Sequence, residues 1–80
     1  MKVKVRLFAS LREEVGQELV ELEVPDQCSV DSLLKVFTSL YPKTEGLGPV
    51  LVAVNQEVGD LGTLVREEDE VVLLPPVSGG

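Results

Sequence analysis

The sequence predicts an α+β domain in which a mixed sheet wraps around one main helix. Three patterns carry that expectation: strict alternation at the N-terminus, one apolar stripe at helical spacing in the middle, and two short all-apolar runs, Val50–Val54 and Val71–Leu74. Residues Lys2–Phe8 place Val3, Val5 and Leu7 on one side and Lys2, Lys4, Arg6 and Phe8 on the other, the period of a half-buried strand. Ser10–Val15 reads as a short helix stopped by Gly16, a residue suited to the left-handed position after a helix. Glu18–Val24 alternates again, with Val20, Leu22 and Val24 opposed to Glu21 and Glu23, and Pro25 closes it. These two strands form an antiparallel pair joined by a helical turn.

The main helix has the clearest signals. Ser29 is a good N-cap and Asp31 lies in the first turn, where the helix dipole favours an anion. Val30, Leu33, Leu34, Phe37, Leu40 and Tyr41 share one apolar face, and Pro42 ends the pattern. A loop with Gly46, Gly48 and Pro49 leads to a strand at Val50–Val54, and Asn55-Gln56 marks a turn. Glu57–Thr63, loosened by Gly59 and Gly62, reads as irregular. The acidic run Glu67-Glu68-Asp69-Glu70 reads as a solvated turn before the last strand, Val71–Leu74.

Strand, strand, helix, strand, strand, with the first and last strands as neighbours, is the order of a β-grasp, the ubiquitin-like roll. Residues 1–74 form the domain and residues 75–80 an extended, flexible tail. One helix covers one face of a sheet, yet both apolar runs are apolar on both faces. Half of those side chains are therefore either covered by loops or part of a contact surface, which Phe8 joins.

Composition removes whole classes of function. Eighty residues make one small domain with a lean core, 44% of the chain being hydrophobic. No apolar run approaches the ~20 residues of a membrane span, and charges at Lys2, Lys4 and Arg6 interrupt any signal segment, so a cytoplasmic protein is expected. The chain has no His, a single Cys, and no glycine-rich phosphate loop. Seven basic against fourteen acidic residues leave a net charge of −7. That field repels nucleic acid and favours partners with basic surfaces. Cys28, just before the helix N-cap, is a bystander thiol whose pKa the helix dipole could lower.

After Leu74 the chain reads Pro75-Pro76-Val77-Ser78-Gly79-Gly80. Proline donates nothing to a sheet ladder, so pairing ends here. Six extended residues reach about 20 Å, and the last two lack side chains, so the segment can pass a narrow channel and present its carboxylate in another protein's active site.

Along its whole length the chain resembles the MoaD/ThiS group of ubiquitin-like sulfur carriers, and within it the MoaD small subunits of molybdopterin synthase, and three segments carry the resemblance. They are Leu7-Phe8-Ala9-Ser10-Leu11-Arg12-Glu13, Val52-Ala53-Val54-Asn55, and Asp69-Glu70-Val71 leading into the terminal Pro75–Gly80. The resemblance implies a non-catalytic, sulfur-donating subunit that binds no cofactor of its own. An E1-like (MoeB-like) activating enzyme uses ATP to adenylate the carboxylate of Gly80, and a sulfur donor system converts it to a thiocarboxylate. A MoaE-like large subunit, in a heterotetramer, supplies the catalytic groups that move sulfur onto cyclic pyranopterin monophosphate. Gly79, Ser78, Val77, Pro76 and Pro75 give the carboxylate access, and Phe8, Arg12 and Leu74 are the expected partner contacts. Service to thiamin or tRNA thiolation, or conjugation to proteins through Gly80, are the alternatives. The chain departs from the family pattern at Glu68, where a glycine is usual, and at Gly59 and Gly62.

Overall fold

The alternation of the first strand becomes an alternation of burial. In β1 (Lys2–Leu7), Val3, Val5 and Leu7 are buried while Lys2, Lys4 and Arg6 face water. A computed structural model describes residues 1–47 and 49–75. The strand ends one residue earlier than its alternation suggests: Phe8 is the N-cap residue of α1 (Ala9–Val15), its carbonyl accepting the Leu11 and Arg12 amides at 3.2 and 3.4 Å. Gly16 stops α1 in the left-handed conformation (φ +83°), and its N–H donates to the Arg12 carbonyl at 2.8 Å. β2 (Leu19–Glu23) then returns antiparallel to β1, pairing Val3 with Leu22 and Val5 with Val20.

α2 (Val30–Leu40) is capped as its sequence predicts, Ser29 Oγ accepting the Ser32 amide at 3.1 Å. The two preceding amides find partners far along the chain: Val30 N–H donates to the Thr63 carbonyl (2.8 Å) and Asp31 N–H to that of Leu61 (3.0 Å). The glycine-bearing stretch expected to be irregular thus supplies acceptors for the helix N-terminus, which otherwise leaves these donors open. Val30, Leu33 and Phe37 are buried, with Leu34 and Tyr41 packed at the edge of the core. Leu40 is a correction: at 57% exposure it lies outside the core, on the flank of α2 that turns toward β2. A short 3₁₀ turn (Pro42–Leu47) follows, with the buried Thr44 hydroxyl donating to the Tyr41 carbonyl at 2.6 Å.

The remaining strands are β4 (Leu51–Val54), β5 (Glu57–Val58) and β7 (Val71–Leu74), with a small antiparallel pair of β3 (Cys28–Ser29) and β6 (Leu64–Val65) beside them. The main sheet has five strands in the order β2-β1-β7-β4-β5. β7 is its central strand and pairs parallel with β1, while all other pairs are antiparallel. This is the expected mixed β-grasp sheet with first and last strands adjacent. Pairs such as β3 and β6, two residues each, fall below any periodicity a sequence can display. The core lies between one sheet face and α2, and holds Val3, Val5, Leu7, Leu11, Leu22, Leu33, Phe37, Val52, Val71 and Leu73, all at 3% exposure or less. Phe37 and Tyr41 stack obliquely, with ring centroids 5.2 Å apart.

Candidate functional site

The last strand leaves the middle of the sheet, and the residues around its exit come from three strands. Leu74 pairs with Leu51 at the start of β4. On the other side the parallel register sets Leu7 beside Leu73, so Phe8, still extended at φ −126° and ψ 156°, comes level with Leu74. Phe8 is 37% and Leu51 45% exposed, and Leu74 and Pro75 are half-buried. The root of the tail therefore rises out of an apolar collar on the sheet face that α2 leaves open.

That collar continues across the sheet. The next row on the same face runs Leu19, Arg6, Val72, Ala53, Val58, each paired with its neighbour. Val72 and Ala53 are half-buried, Leu19 is 48% exposed and Val58 70%. The two-faced apolar runs anticipated this patch. It brings together Phe8 and Leu74 of the expected contact set, with Pro75 of the tail beside them, while Arg12 stands exposed on α1. Leu51, Val58 and Leu19 were not singled out as contacts. Leu51 was visible as the odd member of an apolar run, and Leu19 as the apolar residue in phase with Glu21 and Glu23. Val58 sat in a stretch that read as irregular. Pro76, Val77, Ser78, Gly79 and Gly80 lie outside the described residues.

The opposite end of β7 is held by a polar clamp. Asn55 and Gln56 form the turn between β4 and β5, both in the left-handed region (φ +52° and +70°). The Asn55 side chain donates to Asp69 Oδ1 (3.0 Å) and accepts the Glu70 amide (2.9 Å), and its own amide donates to the Glu70 carbonyl (2.8 Å). Asp69 Oδ2 accepts the Arg66 amide at 2.8 Å. That backbone bond, and then the one from Asn55, hold the Asp69 carboxyl below its usual range. Within the acidic run, then, Glu67, Glu68 and Glu70 are solvated, but Asp69 fixes the entry into β7. The turn closes through an Asp69 N–H to Arg66 carbonyl bond (3.1 Å) without a positive φ at Glu68, so the missing glycine is not needed there.

Cys28 fits a bystander thiol, without the pKa lowering that the helix dipole offered. It sits 1% exposed on β3, and burial pushes its thiol pKa up despite the nearby N-terminal ammonium, the reverse of a dipole-activated thiolate. Among the described residues no cluster of His, Cys, Asp or Glu could hold a metal ion, and no helix is long and apolar enough to cross a membrane.

Fold and collar together define a ubiquitin-like β-grasp protein whose last strand leads through the collar into Pro75. The ThiS family model matches residues 5–80, and the chain belongs to that family. It is 33% identical over 81 residues to a molybdopterin synthase sulfur carrier subunit of Dictyostelium discoideum, covering 96% of this chain and 94% of the relative. Among solved structures, small archaeal modifier protein 1 of Haloferax volcanii superposes with a TM-score of 0.85 at 28% identity, over 95% of this chain and 98% of that one. A protein–protein complex of subunits 1 and 2 of the molybdopterin-converting factor from Helicobacter pylori contains a chain matching with a TM-score of 0.69 at 28% identity, each covered in full. The whole-length resemblance expected from the sequence is thus borne out.

Proposed function

We propose that this chain is the sulfur carrier subunit of a cytoplasmic molybdopterin synthase, acting through the carboxylate of Gly80. The observation that carries the reading is the full-length likeness to such a subunit in a chain that ends Pro75-Pro76-Val77-Ser78-Gly79-Gly80. A carboxylate is a poor acyl donor until one oxygen becomes a leaving group. In the proposed sequence the Gly80 carboxylate attacks the α-phosphate of ATP on an E1-like enzyme and pyrophosphate departs. A sulfur nucleophile from a donor system then attacks the acyl carbon and expels AMP, leaving a thiocarboxylate. A MoaE-like large subunit receives the tail and directs the sulfur onto cyclic pyranopterin monophosphate, supplying the acids, bases and cations itself. This chain binds no cofactor in that scheme. Its part is to present an acyl group on a slim tether from a surface that docks.

The collar of Phe8, Leu51 and Leu74 is suited to that docking, since apolar side chains left open around the root of the tail fix its direction once covered. The likeness to one chain of a two-subunit complex supports a protein partner of this kind.

Intact mass after incubation with the cognate activating enzyme, ATP and a sulfur donor tests the reading. The expected gain equals replacement of one oxygen by sulfur and disappears when Gly80 is deleted; an unchanged mass with a demonstrably active enzyme overturns it. The likeness to an archaeal modifier protein favours a second reading, conjugation through Gly80 to lysines of other proteins. Isopeptide-linked ladders on denaturing gels mark that outcome. Rescue of a thiamin or tRNA-thiolation defect alone would instead reassign the pathway while keeping the thiocarboxylate.

A further inference from the structure

A second surface lies away from the collar, along the outer edge of β2. At the two ends of the β1–β2 ladder, Leu7 N–H donates to the Glu18 carbonyl and Val24 N–H to that of Met1, both at 2.8 Å. An antiparallel ladder alternates between bonded and non-bonded pairs, so these ends set the phase of everything between them. Val20 and Leu22 spend their backbone groups on β1, and Leu19, Glu21 and Glu23 turn theirs outward, at the margin of the five-stranded sheet.

Beside this open edge runs a groove of about 510 Å³, lined by Glu21, Glu23, Lys35, Val36, Ser39 and Leu40. Its apolar floor is the flank of α2, where Val36 is half-buried and Leu40 57% exposed. On the outer sheet face the charges are ordered in columns: Lys2 and Lys4 of β1 stand in register with Glu23 and Glu21 of β2. Lys2 and Glu21 approach to only 3.9 Å, and both side chains are at least half exposed, so the carboxylates keep most of their capacity for a further cation.

We propose that the β2 edge and the α2 flank together accept an extended segment of a partner protein in which lysine or arginine alternates with apolar residues. A strand added to this edge takes hydrogen bonds from the outward backbone groups of Leu19, Glu21 and Glu23. Its side chains opposite Glu21 and Glu23 lie on the outer face, where a cation meets each carboxylate. The side chains between them point the other way and cover Val36 and Leu40. Lys35, at the rim on that side, is paired with Asp31 at 3.2 Å, so the Glu21 and Glu23 carboxylates on the other face fix the phase of the alternation. A second copy of this chain is the wrong occupant, because β2 against β2 sets two acidic columns together between molecules of net charge −7.

The probe is a capped peptide, acetyl-Gly-Lys-Val-Lys-Val-Lys-Gly-amide, titrated into the isotope-labelled full chain, with the same peptide carrying Glu for Lys as control. Chemical-shift changes should centre on Leu19–Glu23 and on Val36 and Leu40, and amide exchange at Glu21 and Glu23 should slow roughly tenfold near saturation. Leu40→Lys and Glu21→Lys should each weaken binding about tenfold, as one of the few central contacts is lost. Glu21→Pro should do the same by removing an outward N–H while sparing the β1 ladder; where it disturbs folding, the two surface variants decide. Shifts that map to Phe8, Leu51 and Leu74, equal binding of the acidic peptide, indifference to Leu40→Lys, no shift at millimolar peptide, or a β2-mediated homodimer in sedimentation would each overturn the proposal. Binding with the expected pattern stands whether or not Gly80 ever carries sulfur.

Discussion

Gln56 holds a left-handed backbone, φ +70°, without the freedom of glycine or the local hydrogen bonding that lets asparagine adopt it next door at Asn55. The pair forms a two-residue hairpin turn for which Asn-Gly is the favoured chemistry. Gln56→Gly should therefore stabilise the fold by about 1 kcal/mol, read as a raised urea midpoint at unchanged m-value. An unchanged or lowered midpoint would mean that the turn carries no strain. Asp69 gives a pH dependence of definite sign. Its carboxyl is held below its unfolded value by the Arg66 amide and Asn55, so the folded state favours the ionised form. That stabilisation is complete above the unfolded pKa of ~3.9 and disappears as the pH falls through the lower folded value. Asp69→Asn should lower the denaturation midpoint at neutral pH and lessen its decline in acid. Parallel acid titrations of the two proteins would remove Asp69 from this role.

The elements that could be read from the sequence were those whose period is long enough to count. Alternation over Lys2–Leu7 and the stripe of Val30, Leu33 and Phe37 are enforced by burial against one another, and the structure keeps both. What stayed hidden is non-local. Nothing in Gly59–Thr63 announces that its carbonyls accept the first amides of α2, and nothing in Glu67-Glu68-Asp69-Glu70 separates the one carboxylate that binds backbone from three that meet water. Leu40 fits the helical stripe by spacing but falls beyond the sheet margin, where there is no core left to receive it. The collar was half legible. Apolar runs on both faces required an uncovered surface, but the register that gathers Phe8, Leu51 and Leu74 belongs to strands far apart in sequence. At this scale the collar yields its own prediction. Leu51→Asp puts a charge on an already exposed position, so thermal stability should stay within about 0.5 kcal/mol of the parent. If the chain is activated as proposed, adenylation by an E1-like enzyme, followed as pyrophosphate release, should fall at least tenfold through KM, the loss expected when a docking contact is replaced by a desolvated charge. Normal activation by this variant would show that the tail is delivered without the collar.

The whole molecule combines a strongly negative field with one local exception. Fourteen acidic residues surround the fold, yet the open sheet face carries Lys2, Lys4 and Arg6 in one column beside the apolar collar. A partner of the proposed kind would be attracted at long range by net charge and held at short range by apolar contact, and the two contributions respond differently to salt. Long-range attraction accelerates encounter and fades once the Debye length shrinks below molecular dimensions, from about 14 Å at 0.05 M to about 4 Å at 0.5 M. Contacts within the covered collar are desolvated and are screened little. Binding to a basic-surfaced large subunit or activating enzyme, followed by stopped-flow over that salt range, should thus show an association rate falling roughly tenfold and a dissociation rate changing less than about twofold. The reverse pattern, a constant association rate with dissociation accelerating in salt, would place the charges inside the interface and remove the apolar collar as the surface that holds the complex.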